Sequence, residues 1–253
     1  MNTRFDGKVV LITGATSGVG AAVARRIVAE GGAVVLGARG KQAGDRMVEE
    51  LRSMGGRALF VPTDVTVEAD VARLTAAAVT EFGRLDAAFN NAGAVNAFGP
   101  VQDIDDAGWR AELELNLTAV YHGLRQQVPA LAAGGGGAIL NNASNLGVVG
   151  MAQVAPYVAA KHGVVGLTRA VALEAAELSI RVNALVSGAV DTPAFRSSMG
   201  ATPEGEAAIA AQHPLGRIAR PEEIAGFCAY LLSDEAGFVT GAALAIDGGF
   251  TAR

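Results

Sequence analysis

The sequence predicts an α/β fold, a doubly wound parallel sheet with helices on both faces. Three observations lead there. Short β-branched runs alternate with longer helical stretches from one end of the chain to the other. Half the residues are hydrophobic (51%) but only 5% are aromatic, which suits a parallel sheet under closely packed helices better than an aromatic-rich sandwich. The 253 residues fit one large domain, 1–253, and no linker, repeat or low-complexity stretch divides them.

In chain order, the strand candidates are Val9–Thr13, Ala33–Gly37, Ala58–Pro62, Ala87–Asn90, Ala138–Asn142, Arg181–Leu185 and Ala243–Ile246. Helical stretches lie between them at 18–30, 41–54, 67–82, 106–132, 155–178 and 221–232. The GGGG run at 134–137 reads as a loop tip before a strand. Residues 193–216 break the alternation, inserting between the sixth and seventh strands. Insertions at such an edge commonly cover a bound substrate, so this stretch is expected to be a mobile lid, with an inert surface excursion as the alternative.

Composition also excludes partners. A formal charge of −5 with no basic cluster disfavours nucleic acid and anionic membranes. The start MNTRFDGKVVLITG lacks the charged-then-apolar pattern of a signal peptide, and no apolar run is long enough to span a bilayer. Cys228 is the only cysteine, so no internal disulfide forms and a reducing cytoplasm is expected. Its apolar setting, IAGFCAYLL, marks it as a packing residue. His122 and His213 have no partner at metal-ligand spacing, so no metal site is expected; His162 points away from the lysine before it.

The first strand runs into Thr13-Gly14-Ala15-Thr16-Ser17-Gly18-Val19-Gly20 and then an amphipathic helix. Glycines let backbone approach a pyrophosphate, whose charge sits at the helix N-terminus. Gly14, Thr16, Ser17, Gly18, Val19 and Gly20 are therefore placed at a dinucleotide. Asp64, in the T-D-V after the third strand, is positioned to accept from an adenine amino group or to cap the next helix. Binding of NAD usually needs an acid at the end of the second strand. Here Ala38 stands in that place and Arg39 follows. A guanidinium can grip a 2′-phosphate with paired hydrogen bonds, so NADP(H) is favoured and NAD(H) left open.

Tyr157 and Lys161 are four apart, with Ser144 thirteen residues before the tyrosine. On a helix that offset puts phenol and ammonium on one face. A nearby ammonium is expected to lower the phenol's pKa and make it a proton shuttle for an alcohol oxygen, which Ser144 could hold.

Together these motifs resemble the short-chain dehydrogenase/reductase family: TGATSGVG at 13–20, D-V at 64–65, NNAG at 90–93, Asn116, Ser144, YVAAK at 157–161 and VNALVSGAVDTP at 182–193. The resemblance implies a seven-stranded Rossmann fold and reversible hydride transfer between nicotinamide and a small ketone or secondary alcohol. It also implies the quartet Asn116, Ser144, Tyr157 and Lys161, with Asn116 holding a water that links Lys161 to solvent. Asn90–Gly93 (with Asn91, Ala92 and Gly93 at the cofactor) would steady the central strand beside the cofactor ribose and Val65 would flank it. Lys161 would bond the nicotinamide ribose, and Gly188, Thr192 and the backbone near Val190 would hold the nicotinamide. Ser187-Gly188 replaces the usual Pro-Gly, which is expected to loosen that turn. Substrate-facing candidates are Asn145, Gln153 and Phe195; for Asn145 a loop-internal hydrogen bond is the alternative.

Rival functions are a reductase of carrier-bound 3-oxoacyl chains and a non-catalytic dinucleotide sensor. LAAGGGGAIL and LEAAELSI, where the resemblance would place carrier-docking cations, hold no Lys or Arg. A sensor would be expected to lose the tyrosine or the lysine, and both are present. The apolar tyrosine helix and the final strand ALAIDGGF imply, by the same resemblance, a homotetramer.

Overall fold

A computed structural model describes residues 3–252. Its core is a seven-stranded, all-parallel sheet in the order β3-β2-β1-β4-β5-β6-β7. The strands are β1 (Val9–Thr13), β2 (Ala33–Ala38), β3 (Arg57–Pro62), β4 (Ala87–Asn90), β5 (Gly137–Asn142), β6 (Ile180–Ser187) and β7 (Ala243–Ile246). The helices are α1 (Gly18–Ala29), α2 (Lys41–Ser53), α3 (Glu68–Phe82), α4 (Asp106–Leu113), α5 (Ala119–Ala133), α6 (Ala155–Ala175), α7 (Pro193–Arg196), α8 (Pro203–Ala210) and α9 (Pro221–Leu232). The chain starts at the centre, steps outward to β3, then returns to lay β4 against the other side of β1. That reversal opens a crevice at the carboxyl ends of β1 and β4, where ligands of such sheets bind.

Period-two alternation assigns each side chain of β1 to a layer. Val10 and Ile12 pack with α1, α2 and α9, while Val9 and Leu11 pack with α3, α5 and α6. Both faces are covered, so VVLIT reads as an unbroken apolar run. Fully burying a side chain such as Leu11 or Ile12 stabilises the fold by about 1.5–3 kcal/mol. The GGGG run is the expected turn into β5. Gly137 has φ 152°, and a Cβ there would collide with the Asp86 carbonyl oxygen.

Two helices differ from expectation. The stretch 106–132 is interrupted by a π-turn at Glu114–Thr118, whose extra residue buries the Asn116 side chain completely. The stretch 155–178 is α-helical only to Ala175 and finishes as a 3₁₀ turn. Residues 193–216 contain two short helices capped by Thr192 and Thr202, whose hydroxyls accept from the Phe195 and Gly205 amides. Arg196 ties the two together through Asp191 at 2.6 Å and Glu206. Among the described residues, no helix is long and apolar enough to cross a membrane.

Candidate active site

At the end of β1, Gly14 and Gly18 have positive φ (64° and 51°). A Cβ on Gly20 would strike the Gly14 carbonyl oxygen, and one on Gly18 would come within 2.8 Å of the Thr192 methyl. Ser17 precedes α1 without a side-chain capping bond, and the first turn carries no acid. The amides of that turn are thus left for an outside acceptor, and the glycines clear the approach to them. Ser17 is exposed; Thr16 and Val19 are half-buried around the same loop. This cradle fits a dinucleotide pyrophosphate.

The end of β4 is laced to the loop. Thr13 Oγ1 accepts from the Asn91 and Ala92 amides at 3.0 and 3.1 Å, and Asn91 Nδ2 donates to the Thr13 carbonyl at 3.0 Å. Gly93 lies where a Cβ would stand 2.8 Å from Asn116 Oδ1 and 3.4 Å from Lys161 Nζ. At the end of β2, Ala38 is half-buried and Arg39 is exposed. Asp64 does not cap α3: Val67 is the residue before that helix, and Asp64 Oδ1 is taken by the Thr66 amide and hydroxyl at 3.0 and 2.7 Å. Val65 is buried beside Val71 and Ala119 and against Ala92, buttressing the crevice floor.

Past β6, the Ser187-Gly188 turn is tight, contrary to the loosening expected. The Gly188 amide donates to the Ile246 carbonyl at 3.1 Å, and a Cβ on Gly188 would sit 2.7 Å from His213 Nε2. That nitrogen accepts from the Ala189 amide at 3.1 Å, while Nδ1 bonds the Ile209 carbonyl at 2.9 Å. His213 therefore pins the 193–216 segment to this turn. Val190 bridges to Ala219, and Thr192 lies against Gly18.

Ser144, Tyr157, Lys161 and Asn116 come from three segments: the loop after β5, α6 (which carries both Tyr157 and Lys161) and the π-turn. Ser144 follows β5 with φ 72°; its hydroxyl donates to Asn145 Oδ1 at 3.1 Å and lies near enough to the Tyr157 phenol to favour its ionisation. Lys161 Nζ donates to the Asn142 carbonyl at 2.8 Å and sits 5.4 Å from the Tyr157 ring centre. Asn116 Nδ2 donates to the Ala94 carbonyl at 2.8 Å, and Oδ1 accepts from the Ala94 amide at 3.2 Å.

The expected lowering of the phenol by the ammonium is not what the surroundings produce. Burial pushes Tyr157 up to about 12; the Ser144 hydrogen bond opposes this and the Glu112 charge adds to it. The amine stands over the ring, 5.4 Å from its centre, in a cation–π arrangement. Burial also brings Lys161 down to about 8, against the pull of Glu112.

A family model described as enoyl-(acyl carrier protein) reductase matches residues 14–251. Cyclohexanol dehydrogenase of Acinetobacter sp. (strain SE19) is 40% identical over 253 residues, covering 100% of this chain and 98% of the relative. Cis-4-hydroxycyclohexanecarboxylate dehydrogenase of Sinomonas cyclohexanicum is 45% identical over 252 residues, covering 100% of both. The crystal structure of levodione reductase superposes with a TM-score of 0.95 at 35% identity, covering 98% of this chain and 99% of that one. The chain belongs to the short-chain dehydrogenase/reductase family. It is an oxidoreductase of secondary alcohols and ketones that works with a nicotinamide dinucleotide.

In this short-chain dehydrogenase/reductase, two of the three substrate-facing candidates are internal. Asn145 is buried and its Oδ1 accepts from the Ser144 hydroxyl at 3.1 Å, the loop-internal alternative. Phe195 is buried against Gly200, inside the 193–216 segment. Gln153 is exposed with φ 73°, and its carbonyl accepts from the Gly99 amide at 2.9 Å.

Two buried polar groups hold this site: Asn90, which the NNAG resemblance expects to steady the central strand, and Glu112, which sequence reading missed. Asn90 exchanges amide hydrogen bonds with Gln127 and donates to Asn141, which donates to Thr168, locking β4, β5, α5 and α6 together. Glu112 is fully buried four residues before Asn116, a helical spacing that was legible. A cleft of about 500 Å³ lies at the opposite end of the sheet around Arg4, Lys8, Arg84, Asp86 and Arg181. Its carboxylate Asp86 is already held by Arg84, Lys8 and the Val9 amide, so this space offers no chemistry comparable to the crevice.

Proposed function

We propose that the chain interconverts a secondary alcohol on a six-membered carbocycle and its ketone, with NADP(H) favoured, and that Tyr157 moves the proton. The carrying observation is the convergence of Ser144, Tyr157 and Lys161 beside a glycine cradle made for pyrophosphate. The bound nicotinamide supplies a hydride acceptor or donor at C4 and, when oxidised, a positive charge. A phenol near 12 is protonated at neutral pH and ready to donate to a carbonyl oxygen. Ser144 polarises that oxygen, on which charge grows in the transition state. In the alcohol direction the same phenol must first lose its proton to solvent, beside the Lys161 amine that the Asn142 carbonyl holds in place.

A ring alcohol is supported by the relatives, which are named for cyclohexanols at 40–45% identity over the full chain. NADP(H) is supported by the absence of a carboxylate at Ala38 and by the exposed Arg39, whose guanidinium has no hydrogen-bond or ion-pair partner among the described residues. Against a carrier-bound acyl chain, the exposed Glu174 and Glu177 would repel an acidic carrier. We extend the proposal to a cytoplasmic homotetramer in which exposed Leu173 and Phe238 are covered; light scattering at micromolar chain reads the mass directly, and a monomer refutes it.

Steady-state kinetics with cyclohexanol, cyclohexanone and both dinucleotides test the rest. Turnover with a higher kcat/KM for the 2′-phosphorylated cofactor is expected. A large preference for NAD overturns the cofactor choice. Tight dinucleotide binding without turnover of any ketone in a panel would favour the sensor.

A further inference from the structure

We propose that Glu112 is the buried counter-ion of Lys161 and, through Asn116, the positioning residue for the 94–97 loop beside it. This rests on the reading that Lys161 serves Tyr157. Glu112 is fully buried on α4. Oε2 accepts from the Asn96 and Ala97 amides at 3.0 and 3.1 Å, and Oε1 accepts from Asn116 Nδ2 at 3.0 Å. All three bonds arrive from donors, an arrangement that suits a carboxylate and offers no acceptor for a carboxyl proton.

The charged side chains around it are Asp106 and Arg110 on α4, Glu114 on the π-turn and Lys161 on α6, with the Tyr157 phenol beside the lysine. Of these charges only Lys161 perturbs its ionisation, and Asp106 and Arg110 face each other at the surface. The influence is mutual. Lys161 is 2% exposed and bonds one carbonyl oxygen, so burial pulls its ammonium toward the neutral amine, and Glu112 is the charge that resists. Asn116 and Gly93 stand between the two, with Asn116 Oδ1 and Lys161 Nζ both crowding the place a Gly93 Cβ would take. A neutral side chain at 112 would therefore discharge the lysine at lower pH and also release the loop.

The chain has three lysines, Lys8, Lys41 and Lys161, so ¹³Cε-lysine NMR titration can follow each one, with Lys161→Arg assigning the signal. In the wild-type chain Lys161 should titrate near 8. In Glu112→Gln it should titrate lower by about one pH unit, while Lys8 and Lys41 stay in place. A folded Glu112→Gln chain whose Lys161 is unmoved overturns the proposal; a merely structural glutamate predicts that result. If Glu112→Gln does not fold, Glu112→Asp withdraws the charge without removing it. Lys161 titrating below wild type then sustains the proposal, and an unmoved Lys161 overturns it. No substrate is used, so a failed oxidoreductase assay and a failed titration are separate results.

Discussion

Glu30 and Glu112 are both buried glutamates, one at each end of the sheet, and their surroundings make different groups of them. Burial alone would raise both. At Glu30 it is overcome by Arg4, bonded through two nitrogens at 2.7 Å each, and by Arg26, and the carboxyl is held below its ordinary value. At Glu112 burial prevails over the Asn96 and Ala97 amides and Lys161, and the carboxyl is raised. A guanidinium fork neutralises a carboxylate on the spot and makes it part of the scaffold. Without one, the charge remains to act on its neighbours, here the lysine and phenol of the crevice.

The largest test of this division is Tyr157→Phe. It should lower kcat by about 10²–10⁴-fold, with dinucleotide binding and melting temperature held. Near-normal turnover would remove the crevice's claim to the chemistry. Next comes Glu30→Gln, which leaves half-buried Arg4 with Glu235 as its one charged partner among the described residues. A loss of about 3 kcal/mol in urea unfolding is expected, with kcat/KM of the folded chain unchanged; a fall in activity at unchanged stability would reverse the roles assigned to the two ends.

The smallest effect is the most diagnostic. Because Glu30 is depressed in the folded state, its stabilisation is present above the ordinary glutamate value of 4.5 and fades as pH drops through the lower folded value. The stability gap between wild type and Glu30→Gln should therefore be constant at neutral pH and narrow in acid. A gap that persists unchanged into strong acid would show that packing, not charge, is what Glu30 contributes.

Much of the site was legible because its parts carry local signatures. Gly14, Gly18 and Gly20 announce themselves by spacing after an apolar strand, and Tyr157 and Lys161 by one helical turn. The tight turn at Gly188 was misjudged because its constraint is the His213 ring, twenty-five residues away. For Asn145 the sequence left a substrate contact and a loop-internal bond both open, and packing selects the second. Phe195 packs into its own segment, because an apolar side chain near a site does not reveal whether it faces inward. The charge state of Tyr157 was also beyond reach, since burial, set by the packed whole, outweighs the neighbour that sequence spacing makes visible.

By itself the sequence determined the strand–helix alternation, the strand boundaries to within two residues, and the positions of the glycine loop and of Tyr157 and Lys161 on one helix, since each depends on backbone geometry and periodicities of a few residues. Only the tertiary structure decided that a π-turn buries Asn116, that Glu112 lies behind it, and that Lys161 and Tyr157 are shifted by burial rather than by each other. Electrostatic free energy depends on what surrounds a charge in space, and those surroundings come from segments far apart in the chain.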